Sequence, residues 1–349
     1  MGERWVEPAG LLHGPTALQA IRDGHALPLA GGPTAFALVR LIEEGRDLGI
    51  HPARALPEGW DDLLPPLTRR PLPLGDLPTD RPLVMGILNT TPDSFSNGGQ
   101  HLDPAAAIAA GHAMLEAGAD ILDIGGESTR PGADPVTPEE EIARVLPVVR
   151  ELAKAAVVSV DTRHPATMRA VLEAGAEIIN DITALRQDPA SLRVVRETRA
   201  PVVLMHMPVL DPRRMQEATD YSDVVLDVAR FLRQRVETAE ALGIPRGRIV
   251  VDPGLGFGKT GAQNLLLLNR LPLLAGIGCR ILVGASRKRF IGRVTGVETA
   301  AERVPGSLAV ALAAATAGAA ILRVHDVAET VQALRMWRAC AEPGSVDLE

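Results

Sequence analysis

The feature that most constrains this chain is a regular alternation of short apolar runs with helical segments from residue 83 to residue 338. Apolar runs of this length, bounded by glycine or polar residues, are typical of buried parallel strands. Eight strands are predicted, at Val84–Leu88, Ile121–Ile124, Val157–Val160, Glu177–Ile179, Val202–Met205, Ile249–Val251, Arg280–Val283 and Ala320–Val324. Eight parallel βαβ units over about 250 residues predict an α/β fold, a (β/α)₈ TIM barrel.

The helical segments between these strands support the same architecture. They are predicted at Pro104–Glu116, Pro138–Lys154, Pro165–Glu173, Pro189–Thr198, Tyr221–Leu242, Gln263–Leu268, Glu302–Ala317 and Val327–Trp337. A weak internal repeat places helix, glycine and strand in the same order at Glu116–Asp123 and at Glu173–Asn180. A doubly wound open sheet is the alternative fold, but no glycine-rich dinucleotide fingerprint follows the first strand.

The first 80 residues differ in texture from the rest of the chain. Short helices are predicted at Ala17–Ile21 and Ala35–Glu44, with an extended piece at Leu27–Gly32. Recurrent prolines between residues 52 and 82 predict an irregular connector. We therefore divide the chain into a small appended domain, residues 1–80, of unreadable role, and a barrel, residues 81–349. The appended domain has little apolar content, so we expect it to dock on the barrel.

Composition limits the classes of partner. With a net charge of −7, the chain has no overall attraction for nucleic acid or anionic membranes. No apolar run is long enough to span a membrane, and the N-terminus does not resemble a signal peptide. The two cysteines, Cys279 and Cys340, have neither metal-ligand spacing nor a disulfide framework, which indicates a reducing cytoplasm. We expect a cytoplasmic protein that acts on small molecules.

Polar side chains stand at the C-terminal ends of the predicted strands. In a barrel these ends converge on one face, where active sites lie. A single such residue would be explained as a loop cap, but a complete series is hard to explain structurally. The series comprises Asn89, Asp123, Asp161, Asn180, His206, Asp252, Ser286 with Lys288, and Arg323 with His325.

The series divides into two chemical groups. Asp161, Asn180 and Asp252 offer carboxylates and an amide, which suit the paired N–H donors of a flat amino-pyrimidinone ring. Hydroxyl and cationic donors suited to phosphate oxygens come from Thr129, Arg130, Lys288, Arg323 and His325. Ser286 is expected to open a helix whose N-terminal N–H groups attract an anion. Taken alone, Arg130 and Lys288 could equally be solvated loop charges.

Two loops complete the predicted site. Residues 89–99 have the composition of a lid that excludes water, with an ordinary solvent loop as the alternative. Residues 252–259 contain three glycines and Phe257, which allow close backbone approach beside a flat contact surface. No Ser-His-Asp or Cys-His arrangement is evident, so we expect no covalent enzyme intermediate.

These residues lie in segments that resemble the dihydropteroate synthases. The matching segments are Met85–Asn89 with Thr91–Ser96, Gly125–Gly132, Ser159–Thr162, Asn180–Ile182, Leu204–Met207, Asp252–Gly254 with Gly256–Lys259, Ser286–Lys288 and Arg323–Val327. They occur in order over residues 83–338, and the first two segments are highly specific in combination. The resemblance implies a pterin-binding barrel and leaves residues 1–80 outside.

The resemblance also implies an activity. Members condense 6-hydroxymethyl-7,8-dihydropterin diphosphate with 4-aminobenzoate, releasing pyrophosphate and forming 7,8-dihydropteroate for folate synthesis, here by an SN1-like path. It implies a homodimer and a Mg²⁺ ion on Asn89. The implied pterin site is Asp123, Asp161, Asn180, Asp252 and Lys288; the diphosphate site is Asn89, Thr129, Arg130, Arg323 and His325; the 4-aminobenzoate site is Phe95, Pro131, Phe257, Ser286 and Lys288. The implied catalytic residues are Asp93, Arg130, Asp161 and Lys288.

Departures and rival classes qualify this prediction. Pro208-Val209 stands where the family often has Gln-Gly, which puts the contacts of that loop in doubt. Lys259 is placed at the mouth of the pocket, so its replacement is expected to matter less than replacement of Lys288. Methyltetrahydrofolate:corrinoid methyltransferases share the pterin carboxylates but need neither the Ser-Thr-Arg-Pro loop nor the Arg323/His325 pair. A non-catalytic pterin-binding or regulatory paralogue is the remaining alternative.

Overall fold

The computed structural model describes residues 2–90, 103–127 and 136–342, and its main body is a closed barrel of eight parallel strands. The barrel strands are β5 (Leu83–Asn89), β6 (Ile121–Gly125), β7 (Val157–Asp161), β8 (Ile178–Asp181), β9 (Val202–Met205), β10 (Ile249–Asp252), β11 (Arg280–Val283) and β12 (Ile321–Val324). Each strand pairs with the next in the chain, and β12 pairs with β5 to close the barrel. This confirms the predicted fold, with all eight strands in place.

Helices between the strands surround the barrel. They are α3 (Pro104–Glu116), α4 (Pro138–Leu152), α5 (Pro165–Glu173), α6 (Pro189–Thr198), α7 (Val224–Ala241), α8 (Gly261–Asn269), α9 (Arg289–Thr295), α10 (Val304–Thr316) and α11 (Val327–Ala341). Several begin in sequence-encoded caps, such as the capping box in which Thr137 and Glu140 open α4. Short 3₁₀ segments lie at Pro212–Glu217, Arg246–Arg248, Leu271–Ile277 and Ala300–Arg303.

Apolar side chains fill the interior of the barrel as far as its N-terminal end. One cluster contains Leu83, Met85, Ile121, Ile178, Val203, Val250, Leu282 and Ile321. Leu74 and Leu77 of the proline-rich connector belong to the same cluster, so the connector closes the N-terminal end of the barrel. Four of these strands carry a polar residue two positions further along, towards the C-terminal end: Asp123, Asn180, Asp252 and Arg323.

The N-terminal part of the chain is an antiparallel sheet with one helix at Gly14–Arg22, which confirms the helix predicted at Ala17–Ile21. Its elements are β1 (Arg4–Leu12), α1 (Gly14–Arg22), β2 (Leu27–Pro28), β3 (Ala35–Glu43) and β4 (Arg46–Pro52). The prediction of a helix at Ala35–Glu44 is wrong, because β3 is the central strand and pairs with β1, β2 and β4. Glu44 and Gly45 both have positive φ, 49° and 78°, and form the two-residue hairpin turn into β4.

The connector is more regular than predicted. It contains a 3₁₀ turn at Asp61–Leu63 and a short helix, α2 (Leu64–Thr68), which buries Leu67. The Leu67 carbonyl accepts a hydrogen bond of 2.7 Å from the N–H of Ala30, which ties the connector to the sheet. The domain boundary at residues 80 and 81 stays a prediction.

Candidate active site

Four predicted site residues meet at the C-terminal end of the barrel. Asp123 lies on β6, Asp161 on β7, Asn180 on β8 and Arg323 on β12. The Asn180 amide donates to Asp123 Oδ2 at 3.0 Å, and Arg323 Nε donates to the same oxygen at 2.6 Å. Arg323 Nη2 also donates to Asp161 Oδ2 at 3.0 Å. One guanidinium thus bridges two carboxylates on the neighbouring strands β6 and β7, where Asp161 pairs with Gly125, two residues beyond Asp123.

The second oxygen of Asp123 is an acceptor without a donor. Asp123 is 0% exposed, and its Oδ1 atom has no hydrogen-bond partner among the described residues. A buried carboxylate oxygen in this state is costly unless a donor reaches it. The site therefore offers a buried acceptor for an N–H group of a ligand.

Burial and neighbouring charges set the protonation of the site. Burial raises the pKa of Asp161 to about 7, with Arg323 opposing the rise and Asp123 adding to it. Burial likewise raises the pKa of Asp252, and the ammonium of Lys288 opposes that rise. Burial lowers the pKa of Lys288 to about 8, partly offset by Asp252. Perturbed groups of both signs at the C-terminal ends of neighbouring strands mark this end of the barrel as the candidate active site.

The loop after β10 positions Lys288. Lys288 Nζ donates to the Leu255 carbonyl and lies 4.7 Å from the centre of the Phe257 ring. Gly254 has a φ of +65°, and a side chain there would meet the His206 carbonyl oxygen at 2.1 Å, so only glycine fits. The Gly254 N–H donates to Asp252 Oδ1 at 2.7 Å, which orients that carboxylate.

Ser286 does not open a helix, so that prediction is wrong. The helix after β11 begins at Arg289, with Lys288 as its N-cap, because Arg287 adopts a left-handed conformation with φ of 60°. The Ser286 hydroxyl instead accepts the backbone N–H of His325 at 3.2 Å and lies 3.1 Å from His325 Nδ1. Ser286 and His325 are thus brought together, as the series of strand ends predicted.

Lys259 does not lie at the mouth of the pocket, which corrects the prediction for this residue. It is 4% exposed, and its Nζ atom donates to the carbonyls of Gly254 at 2.9 Å and Phe257 at 2.8 Å. It also lies 3.0 Å from Nδ1 of His206. The glycine loop folds back over Lys259 because its inward-facing carbonyls need a donor. Sequence periodicity gives no signal for this role, because the direction of the loop carbonyls depends on contacts between segments.

A second buried group was also missed from the sequence. Glu141 in the first turn of α4 is 0% exposed and accepts the hydroxyl of Thr162 at 2.7 Å. Burial raises the pKa of Glu141, with the hydroxyls of Thr167 and Thr162 opposing the rise. Thr162 directly follows Asp161, so this pair supports the end of β7. Periodicity did not distinguish Glu141 from the exposed acids beside it.

The first two predicted loops can be followed only at their bases. The Thr90 N–H donates to the Gly125 carbonyl at 2.8 Å, which places Asn89 beside the end of β6. Five predicted site residues lie outside the described residues: Asp93, Phe95, Thr129, Arg130 and Pro131. Over residues 2–90, 103–127 and 136–342, no group of three or more His, Cys, Asp or Glu side chains could hold a metal ion. Among the described helices, none is both long and apolar enough to cross a membrane.

Comparisons with known proteins agree with this geometry. The family described as pterin binding enzyme matches residues 85–325. The dihydropteroate synthase of Neisseria meningitidis serogroup B is 49% identical over 266 residues, covering 74% of this chain and 93% of the relative. That of Escherichia coli K12 is 47% identical over 265 residues, covering 75% of this chain and 93% of the relative.

Solved structures agree as well. Xanthomonas albilineans dihydropteroate synthase with 4-aminobenzoic acid is 52% identical, with a TM-score of 0.71 over 77% of this chain and 95% of that one. The same organism's enzyme in complex with 7,8-dihydropteroate is 49% identical, with a TM-score of 0.71 over 79% of this chain and 100% of that one. The family match begins at residue 85, so the N-terminal sheet lies outside it.

Proposed function

Because the chain belongs to the dihydropteroate synthase family, we propose that it condenses 6-hydroxymethyl-7,8-dihydropterin diphosphate with 4-aminobenzoate, giving 7,8-dihydropteroate and pyrophosphate in folate biosynthesis. The observation that carries the proposal is the bridging of Asp123 and Asp161 by Arg323 at the C-terminal end of the barrel. These are residues that the family resemblance assigns to the two halves of one substrate. Their contact places carboxylates suited to a pterin and a guanidinium suited to a phosphate in one site.

The pterin would bind on the carboxylates and the amide. Its amino-pyrimidinone edge carries adjacent N–H donors, which match the buried Oδ1 of Asp123 and the carboxylate of Asp252. Asn180 is held by Asp123 and offers its amide to the remaining ring edge. Lys288, fixed by the Leu255 carbonyl, would donate to a ring acceptor. A ligand bound in this way would supply the hydrogen-bond donor that Asp123 Oδ1 lacks among the described residues.

Asp161 would stabilise the transition state. Loss of diphosphate from the pterin methylene leaves positive charge on the ring system, and a nearby carboxylate stabilises that charge. Asp161 is partly exposed at the end of β7, so it can face the ligand. The C–O bond to the diphosphate would break first, and its electron pair would leave with pyrophosphate. The amine nitrogen of 4-aminobenzoate would then form the C–N bond to the methylene cation and lose one proton to pyrophosphate or water. This is the SN1-like path.

The diphosphate would bind among Arg323, His325 and Asn89, with Thr129 and Arg130 from the second loop. Arg323 would exchange part of its carboxylate pairing for phosphate oxygens, to which its planar donors are equally suited. The partly exposed Asn89, beside the end of β6, offers an amide oxygen that fits Mg²⁺, an ion usually held by one or two protein ligands plus phosphates and water. When bound, Mg²⁺ would neutralise charge on the leaving diphosphate.

The 4-aminobenzoate would bind next to the glycine loop. Phe257 offers a flat apolar face, and Lys288, 4.7 Å from that ring, offers a positive charge for a carboxylate. Ser286 would donate its hydroxyl at the same edge, while Phe95 and Pro131 of the first two loops would cover the ring. With Asp93 and Arg130, those loops would exclude water from the reacting atoms.

We also propose that the protein is a cytoplasmic homodimer. Exposed leucines on α8 support a self-association surface, since Leu265 and Leu266 are each 43% exposed. Val294 on the neighbouring α9 is 65% exposed. The acidic net charge and the two unpaired cysteines agree with a reducing cytoplasm.

The test is pyrophosphate release by the purified protein given the dihydropterin diphosphate and Mg²⁺, with and without 4-aminobenzoate. We expect release with stoichiometric dihydropteroate, and a loss of about 100-fold or more in kcat for Asp161→Asn. Because the pKa of Asp161 is raised to about 7, it becomes neutral below that pH, so kcat/KM should fall as the pH drops below 7. Asp47→Asn, on the exposed strand β4, is the matched control and should keep full activity.

The rival classes predict other results. Tight binding of the pterin diphosphate without product would support a non-catalytic pterin-binding protein. Methyl transfer from methyltetrahydrofolate without pyrophosphate release would support the corrinoid class. Either result would contradict the synthase proposal.

A further inference from the structure

A cavity of about 100 Å³ lies at the N-terminal end of the barrel, where the connector crosses the starts of β10 and β11. Its walls include Pro71 and Leu72 of the connector, and Arg246, Gly247, Cys279 and Arg280 of the barrel. Arg280 is the first residue of β11, whereas Ser286 and Lys288 of the candidate active site follow the other end of the same strand. The cavity is therefore separate from the candidate active site.

Arg280 brings a positive charge into this cavity. The residue is 4% exposed, and its Nε atom donates to the Leu72 carbonyl at 2.9 Å. Its Nη2 atom is buried and has no hydrogen-bond partner among the described residues. Burial lowers its pKa, and no carboxylate opposes the shift. The guanidinium nevertheless stays charged, because arginine is not deprotonated in proteins.

The other arginine in the wall does not lack a counter-charge. Arg246 donates to the Glu240 carboxylate at 2.5 Å and to the Ile277 carbonyl at 3.1 Å. Arg280 is thus the arginine of this wall whose positive charge has no neighbouring carboxylate in the part of the chain that the structure describes. Water could satisfy the free N–H groups of Arg280, but it would not neutralise a buried charge, which is costly without a partner.

From this geometry we propose that the cavity binds a small tetrahedral oxyanion, with Arg280 as its principal ligand. The guanidinium presents planar donors that match phosphate-type oxygens. A volume of about 100 Å³ admits about three waters at roughly 30 Å³ each, or one ion of phosphate size. The ligand is either free phosphate or the phosphate group of a small monoester. Because Leu72 bonds to Arg280, the bound anion would join the connector to the barrel.

The test must separate this site from the phosphate-binding part of the active site. Binding of inorganic phosphate is measured by calorimetry, and by the thermal midpoint in phosphate against chloride, in an Arg323→Met background. We expect phosphate still to bind there and to raise the midpoint. In the Arg280→Met, Arg323→Met protein, affinity should fall by about ten-fold or more and the rise should vanish. The control is the Arg69→Met, Arg323→Met protein, because Arg69 is an exposed arginine of the connector. Its phosphate affinity and its rise in thermal midpoint should equal those of the Arg323→Met protein.

Phenyl phosphate distinguishes the two sources. Binding equal to that of phosphate would indicate that the cavity accepts a monoester, and exclusion would assign the site to the free ion. Phosphate binding that is absent in the Arg323→Met background, or that survives Arg280→Met, would overturn the proposal and leave a water-filled cavity. Should Arg280→Met fail to fold, wild-type crystals soaked in selenate give the answer, since an anomalous peak beside Arg280 is required. Synthase activity is not the readout, so failure here leaves the proposed function untouched.

Discussion

Among single residues, Lys259 is the buried side chain that holds the loop after β10 in place. Burial lowers the pKa of Lys259 well below its usual value, and Asp252 opposes that shift. The Nζ atom lies within hydrogen-bond distance of the carbonyls of Gly254 and Phe257 and of His206. His206 can accept because burial holds its pKa well below the usual value, which keeps the ring neutral. The loop held in this way supplies the Leu255 carbonyl and the Phe257 ring that position Lys288. Lys259 is therefore a positioning residue.

We predict that Lys259→Met lowers kcat/KM by more than about ten-fold, because the loop carbonyls of Gly254 and Phe257 lose their buried donor. The effect should appear in KM for 4-aminobenzoate and in an alkaline limb of the pH profile, which Lys288 sets near pH 8 and which should shift. Lys154→Met, 68% exposed on the side chain, is the control. If Lys259→Met kept both the rate and the pH profile, Lys259 would be irrelevant to Lys288.

At the scale of elements, the loops after β9 and β10 interlock. Pro208, which departs from the family pattern, packs against Gly258. A side chain at Gly258 would come within 2.3 Å of the Pro208 ring and 2.9 Å of the Met215 carbonyl, at a φ of +59°. Pro208 in the loop after β9 is thus accommodated because Gly258 in the loop after β10 has no side chain.

Gly258→Ala should consequently destabilise the protein by about 2–3 kcal/mol, since strain at positive φ adds to a steric clash. Urea denaturation measures the loss. Gly261→Ala is the control from the same segment, because that position has no atom within 4 Å and opens α8. It should change stability by no more than about 0.5 kcal/mol. Similar losses of stability for the two variants would show that the contact between Gly258 and Pro208 does not stabilise the protein.

The elements also show what the sequence could predict. The barrel strands were found because their apolar runs are readable without their neighbours, and β6, β8 and β12 each follow a helix and a glycine. Strand β3 was mistaken for a helix because its identity depends on pairing with β1, at positions such as Phe36 opposite Leu11. Lys259 was misplaced for a related reason: the path of a glycine loop is set by hydrogen bonds between segments, which periodicity does not encode. Asp123, Asp161, Asn180 and Arg323 of the strand-end series come together because the C-terminal ends of parallel strands meet on one face of a barrel.

At the scale of the whole molecule, ion pairs fasten the N-terminal sheet to the barrel. Glu7 on β1 accepts two hydrogen bonds from Arg270, at 2.8 and 2.7 Å, and both side chains are largely buried. Glu3 accepts from Arg230 and Arg233 of α7. The Arg233 guanidinium also lies 3.9 Å from the centre of the Trp5 ring. Together with the shared apolar core, these contacts indicate that sheet and barrel unfold as one unit.

The last prediction follows from the burial of the Glu7–Arg270 pair. A double-mutant cycle of Glu7→Gln and Arg270→Met should give a coupling free energy of about 2 kcal/mol, because both partners are largely buried. Arg270 also pairs with Asp223 at 3.1 Å, and the cycle separates that contact from the Glu7–Arg270 coupling. Arg40 and Asp47, 42% and 50% exposed, form the control pair within the sheet and should couple by about 0.5 kcal/mol or less. Denaturation followed by fluorescence reports the sheet through Trp5, the connector through Trp60 and the barrel through Trp337. Glu7→Gln should lower the single midpoint seen for all three tryptophans, since the pair links two parts of one folding unit. Two separate transitions in the wild-type protein would contradict this prediction. They would mean that the sheet and the barrel unfold independently, and that the sheet does not stabilise the barrel.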